Sequence, residues 1–351
     1  MSTDHRDRPR PPTLEHVARV AGVSRATVSR VINGVASVDQ RLRDTVQRAI
    51  ADTGYVPNQA ARSLVTRRTG SVALVVSEAE NRHLEEAFVG RVFTDPFFGR
   101  MVSGLLSVLR PRHVQLVLML AENAEARAQV TGYLAQGHVD GAILVSTHAE
   151  DPLPRMLAES ALPAVLAERP LQPVSISHVG AAQRAGAALA ADRLVVARGC
   201  RQVATISGPL DMPAARERLA GFREALARHG RPVVPSVEGD FTLESGERAM
   251  SQLLAEHPEV DGVFAANDLM AQGALLVLRD AGRAVPAEVA VIGFDDSSAA
   301  LACRPPLTTI RQPLEDMAAE MARLLLAHIA QPDRPVSSVI FDPTLVVRES
   351  G

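Results

Sequence analysis

From Ser71 onward the chain alternates short apolar runs with longer amphipathic ones, and no other feature restricts its fold as much. The runs SVALVV, VQLVLML, DGAILVS, PAVLAE, QVATISG, GVFAAN and VAVIGFD have the length and composition of strands. Segments such as EARAQVTGYLAQG, ARERLAGFREALARHG and DLMAQGALLVLRDAG separate them with helical spacing. This alternation predicts doubly wound α/β domains with parallel sheets. Ligands in such sheets sit at the carboxyl ends of the strands, where loops place polar groups.

The N-terminal residues follow a different pattern. In TLEHVARVAGVS, Thr13 is placed as an N-cap, Leu14, Val17, Ala18 and Ala21 form one apolar stripe, and Gly22 stands where the helix must stop and turn. In GVSRATVSRVING, Ser24 caps a second helix whose Val28, Val31 and Ile32 recur at i, i+3 and i+4, with Val23 placed to staple Val28. Leu42, Val46, Ala49 and Ile50 mark a third helix over Asp39–Asp52, closed by Gly54. Two short helices around a glycine-containing turn are a helix-turn-helix. With the valine stripe packed inward, Arg25, Ala26, Ser29 and Arg30 are left on the outer face. That face suits a DNA major groove, where arginine bonds guanine bidentately and alanine touches a thymine methyl. From these residues alone, a solvated charged helix fits better, because short capped amphipathic helix pairs are common.

Charge is divided along the chain. The whole carries −3, yet residues 1–68 hold 12 Arg against 6 acidic residues, a balance of +6, while the remainder holds 25 against 34, or −9. A basic head on an acidic body confines phosphate attraction to one end. All 37 basic residues are arginine, a bias that fits a GC-rich genome better than a DNA-binding device.

The order of TLEHVARVAGVSRATVSRVING, GYVPNQAARSL and SVALVV, then GPLDMPAARERLAGF, VFAANDLMAQGAL, VPAEVAVIGFDD, PPLTTIRQP and LVVRESG, resembles the lactose/galactose repressor (LacI/GalR) family. The likeness covers nearly all of the chain after residue 12. It implies a headpiece at 13–56, a hinge helix and linker at 57–70, and an effector-binding and dimerisation domain at 71–351. That domain is expected to be two-lobed and similar to periplasmic binding proteins, with lobe 1 over 71–176 and 310–335 and lobe 2 over 177–309 and 336–351. The resemblance further implies a homodimer on palindromic operator DNA. Its DNA-binding positions here are Thr13, Ser24, Arg25, Ala26, Thr27, Ser29, Arg30, Asn33, Tyr55, Asn58, Ala61 and Leu64, the last matching a leucine wedged into the minor groove. About two turns from Pro57 are too short to be stable alone, so the hinge is expected to fold only on DNA beside its dimer mate. MSTDHRDRPRPP reads as a disordered arm and not as a signal peptide, and the expected location is cytoplasmic.

Carried over position by position, the resemblance assigns an effector cleft. Arg218, otherwise readable as a surface charge, matches an arginine that holds ligand hydroxyls or carbonyls. Asn267 becomes a ligand contact and Asp268 the helix cap; either alone reads as a cap. Asp295 is a carboxylate at a strand end, and Asp296 a turn residue. Phe241 matches a stacking aromatic, Phe97 and Phe98 line the pocket from lobe 1 with one of them in the core, and Glu168 aligns with an acidic contact of some relatives. Three departures stand out. Ser177-His178 replaces the usual Asp-Asn pair at the start of lobe 2; Met212, Pro213 and Ala214 disfavour a purine; and ENRHLEEAFVGRVFTD, residues 80–95, lengthens the loop after the first strand as a candidate cap for the cleft.

An enzyme is the rival class. No GxSxG, HExxH, strand-linked GxGxxG or GxxxxGK[ST] occurs, the ten histidines lack metal spacing, and Cys200 and Cys303 form no CxxC. Adjacent Asp295 and Asp296 point apart and make a poor acid–base pair. No catalytic residue, metal or cofactor is expected, nor a membrane partner, since no apolar run approaches about eighteen residues. No heptad repeat follows VVRESG, so no coiled-coil tetramer is expected. The reading is a sequence-specific DNA-binding regulator, a repressor of carbohydrate uptake or breakdown genes controlled by a sugar. The alternatives are a regulator answering a nucleobase or phosphosugar, or a sugar-binding protein without a regulatory role.

Overall fold

The computed structural model describes residues 12–32, 35, 37–56, 68–79 and 88–351. The arm before Pro12, Asn33, and the hinge positions Asn58, Ala61 and Leu64 lie outside the described residues. The chain divides into two units, Met1–Gly70 and Ser71–Gly351.

The first unit holds α1 (Leu14–Ala21), α2 (Arg25–Ile32) and α3 (Gln40–Thr53). Each start is capped by a side chain: Thr13 Oγ1 accepts from the His16 N–H at 3.3 Å, Ser24 Oγ from Thr27 at 3.1 Å, and Asp39 Oδ1 from Arg41 at 2.9 Å. Asp39 is thus the cap of the third helix and not its first residue. Gly22 sits at φ 64°, a left-handed conformation that turns the chain between α1 and α2 at little cost only without a Cβ. Val17, Val28 and Val46 are wholly buried, with Ala18 and Ala49 beside them, and Val23, Val31, Ile32, Ile50 and Tyr55 pack around this small core.

The second unit is built from two six-stranded sheets. The first contains β1 (Ser71–Ser77), β2 (Gln115–Ala121), β3 (Ala142–Val145), β4 (Ala164–Ala167), β5 (Ser177–Ala181) and, much later in the chain, β11 (Ser338–Phe341). The second contains β6 (Val203–Ser207), β7 (Ser236–Glu238), β8 (Gly262–Ala265), β9 (Ala290–Phe294), β10 (Thr308–Arg311) and β12 (Thr344–Val346). Their orders are β11-β5-β4-β3-β1-β2 and β12-β10-β9-β8-β6-β7. All neighbours are parallel except β10 and β12. In β1 six consecutive residues are buried, as a parallel strand covered by helices on both faces requires. The second lobe centres on a run of aromatics, with Phe222 stacked on Phe264 at 4.7 Å and Phe264 edge-on to Phe294 at 6.4 Å.

The expected lobe boundaries at 177, 310 and 336 are each displaced. β5 pairs with β4 and β11 with β5, so both belong to the first sheet, while β10 pairs with β9 in the second. Each crossing therefore comes after a strand is complete, at Ala182, at Gln312–Pro313 and at Asp342–Pro343. The Ala182 N–H donates to the Phe341 carbonyl at 2.9 Å and holds the first and last crossings side by side. No single helix among the described residues is long and apolar enough to cross a membrane.

Candidate functional site

On α2 the valine stripe faces the core and Arg25, Ala26 and Arg30 are exposed, with Thr27 and Ser29 half-buried at the edge. Arg25 Nε pairs with Glu15 of α1 at 3.1 Å, and both side chains are more than half exposed, so the contact is weak and yields readily to a phosphate or base. Thr13 and Ser24 spend their hydroxyls on the caps, and Tyr55 packs on the core.

In the second unit, one pocket lies at the carboxyl ends of the strands of both sheets. It is lined by all seven of the cleft residues expected from the sequence: Phe97, Phe98, Glu168, Arg218, Phe241, Asn267 and Asp295. The backbone is strained around it. Ser146, Glu168, Phe241 and Asp295, each just beyond a strand, have φ of 60°, 69°, 69° and 106°, and all four line the pocket. Such conformations cost about 1–3 kcal/mol each in a non-glycine residue and cluster at ligand sites. Phe241 fits because Gly208 leaves it room: a Cβ on Gly208 would lie 2.3 Å from the ring.

The polar groups form a chain across the crossings. Glu168 Oε1 accepts from Gln183 Nε2 at 2.8 Å, Gln183 Oε1 accepts from Arg218 Nε at 2.8 Å, Arg218 Nη2 lies 3.5 Å from Asp295 Oδ1, and that oxygen accepts from Gln312 Nε2 at 2.6 Å. Arg218 also donates to the Ala266 carbonyl at 2.5 Å and lies over the Phe294 ring at 3.8 Å. It is buried, so the surface-charge reading does not hold for it. Gln183 and Gln312 begin or form two of the three crossings, and sequence reasoning missed both. Arg100 secures the strained Asp295 by donating to its carbonyl at 2.7 Å while its other nitrogens hold Glu315.

Burial governs the titration of these groups. It pushes the Asp295 carboxyl up even beside Arg218 and Arg100, pulls the Arg218 guanidinium down, and raises half-buried Glu168 to about 7. Asp95, also in the pocket, rises to about 6 from burial, with the Asp295 charge adding to it.

The cap assignment is corrected. Asn267 caps the helix Asp268–Asp280, its Oδ1 accepting from the Met270 N–H at 2.9 Å, while its Nδ2 donates to the Phe241 carbonyl at 2.8 Å. Asp268 lies one residue inside, buried, accepting from the Ser297 N–H and the Thr309 hydroxyl, each at 2.6 Å. An extended backbone at Asn267, with φ −150° and ψ 172°, aims its side chain back at the first turn, which Asp268 in helical conformation cannot do. Asp295 and Asp296 do point apart: Asp296 pairs with Arg311 at 2.6 Å and Arg348 at 2.5 Å. Phe97 and Phe98 meet edge-on at 5.3 Å and both are half-buried, so neither is reserved for the core. Ser177 and His328 bond each other at 2.8 Å, away from the pocket lining. The lengthened loop contributes Phe88, Arg91 and Asp95 to the lining, with Glu78 at the end of β1.

Known proteins resemble this chain over nearly its whole length. Residues 13–58 match the bacterial regulatory proteins of the lacI family, and residues 191–351 match the periplasmic binding protein-like domain. The HTH-type transcriptional regulator CelR of Thermobifida fusca is 46% identical over 349 residues, covering 98% of this chain and 100% of that protein. A solved complex of the transcriptional regulator CelR with cellobiose superposes with a TM-score of 0.76 at 45% identity, over 97% of this chain and 100% of that one. The lac repressor dimer bound to operator and the anti-inducer ONPF gives 0.81 at 28% identity, over 97% and 99%. A capped helix-turn-helix with an exposed arginine face, a two-sheet unit crossed three times, and this degree of identity end to end make the chain a member of the lacI family of bacterial DNA-binding transcriptional regulators.

Proposed function

We propose that this regulator binds operator DNA as a homodimer and that a β-linked glucose disaccharide of the cellobiose class, held in the pocket between its two sheets, changes that binding. The observation that carries the reading is the meeting of Arg218, Asn267, Asp295 and Phe241 in one pocket directly on the crossings. A guanidinium fork, an amide and a carboxylate suit vicinal hydroxyls, which both give and take hydrogen bonds, and an aromatic face suits the C–H side of a pyranose. The side chains of Met212, Pro213 and Ala214 in the same lining offer the edges of a purine no hydrogen-bonding partner, which disfavours that ligand. The relative solved with cellobiose supports the choice of ligand. Because a ligand shifts an equilibrium only by its differential affinity for the two states, its effect comes from binding one closure of the lobes better than the other. Arg25, Ala26, Ser29 and Arg30 are the proposed groove readers, with Tyr55, Thr27 and Asn33 at their edges and Asn58, Ala61 and Leu64 of the hinge in the minor groove. Calorimetry with cellobiose, glucose, hypoxanthine and a phosphosugar, paired with operator gel shifts at fixed salt, tests the reading. Cellobiose is expected to bind and to change operator affinity. Binding of hypoxanthine or the phosphosugar with no response to either sugar overturns it.

A further inference from the structure

The loop lengthened by residues 80–95 ends in the helix Phe88–Thr94, and two of that helix's residues, one turn apart, face the pocket. These are Phe88 and Arg91; Val92 turns into the core, while Val89 and Phe93 are exposed to solvent. Arg91 is ion-paired to Glu78, which extends β1, and its guanidinium lies 5.3 Å from the Phe88 ring centre. The Arg91 Nε is buried and has no hydrogen-bond partner among the described residues. A buried N–H left without an acceptor is costly, and a sugar hydroxyl or ring oxygen entering the pocket is an acceptor of the right kind.

The lining therefore contains one set of recognition groups twice. On the second lobe stand Phe241, Arg218 and Asp295; on the first stand Phe88, Arg91 and Glu78. Each set is an aromatic face, a guanidinium and a carboxylate, groups that suit a pyranose ring. We infer that Phe88, Arg91 and Glu78 form a subsite for the second ring of a disaccharide and set the preference for disaccharide over monosaccharide. The inference rests on the sugar reading of the pocket given above. The helix is the part of the lining that residues 80–95 supply together with Asp95, so the preference belongs to this stretch of chain.

The test uses the full chain and two probes, cellobiose and glucose, measured by calorimetry on the wild type, Phe88→Ala and Arg91→Gln. Both variants are expected to lose about tenfold or more in cellobiose affinity while glucose affinity changes by less than about twofold, so the ratio between the sugars collapses. Phe88→Ala keeps the Arg91–Glu78 pair and decides the matter if Arg91→Gln melts early. Equal losses for both sugars, or an unchanged ratio in the folded variants, overturn the subsite while leaving the sugar reading in place. A wild type that binds neither sugar refutes that reading and the subsite together.

Discussion

Replacing Arg218 with methionine removes the centre of the polar chain while keeping most of its volume. Three acceptors then lose their donor: Gln183 Oε1 at 2.8 Å, the Ala266 carbonyl at 2.5 Å and Asp295 Oδ1 at 3.5 Å. Breaking a buried ion pair by deleting one partner costs about 3–5 kcal/mol. The lower end applies here, because Gln312 still donates to Asp295 at 2.6 Å and the carboxyl can take up a proton. At about 2–4 °C per kcal/mol for a domain of this size, a loss of about 3 kcal/mol lowers the melting temperature by at least roughly 6 °C. The sign of its pH dependence follows from Asp295, whose carboxyl burial already pushes up and which rises further without Arg218. A raised carboxyl contributes its stability in the protonated form, so the variant's deficit is largest at pH 8 and shrinks toward pH 5. Calorimetric melting at several pH values measures both quantities. A loss under about 2 °C, or a deficit that does not change with pH, refutes the view that Arg218 offsets part of the cost of ionising the buried Asp295.

Val28 is wholly buried in a small core, so Val28→Ala is expected to cost about 1.5–3 kcal/mol and to lower the helical circular-dichroism signal and operator affinity together; a fully helical variant that binds normally refutes this. Arg30→Ala should leave the headpiece folded, cost about 1–3 kcal/mol at one symmetric pair of operator positions and relax specificity there; equal loss on random DNA means that Arg30 meets only phosphate. In Gly208→Ala the new Cβ meets the Phe241 ring at 2.3 Å and displaces it, so cellobiose affinity should fall while ligand-free operator binding stays near wild type; unchanged affinity removes Phe241 as a platform. Burial raises Glu168 to about 7, so its contribution to stability is full below about 4.5 and is lost as pH rises through about 7. Glu168→Gln should therefore flatten part of the decline in melting temperature between pH 5 and 8, and an identical decline in the variant counts against it.

The long apolar runs of β1, β6, β8 and β9 were legible because parallel strands buried on both faces have little choice of residue. β5 and β11 were misassigned to the other lobe, since SHVGA and SVIF are short and partly polar and only pairing decides their sheet. Arg218 reads as a surface residue from spacing alone. Its burial depends on Gln183, Asp295 and the Phe294 face, which come from distant segments. Gln183 and Gln312 carry no local signal at all, because a glutamine becomes functional here only by standing where the chain changes sheets. The cap fell to Asn267 and not to Asp268 because the backbone at Asn267 is extended, and either side chain is a competent cap.

The helix that carries Phe88 and Arg91 lies between the end of β1 and the helix Pro96–Leu109 and packs Val92 into the first-lobe core, whereas Gln183 and Gln312 sit where the two sheets are tied together. The proposed second-ring subsite and the three crossings are thus written in separate stretches of chain. An engineer building a biosensor can therefore vary Phe88 and Arg91 without altering any residue of the crossings.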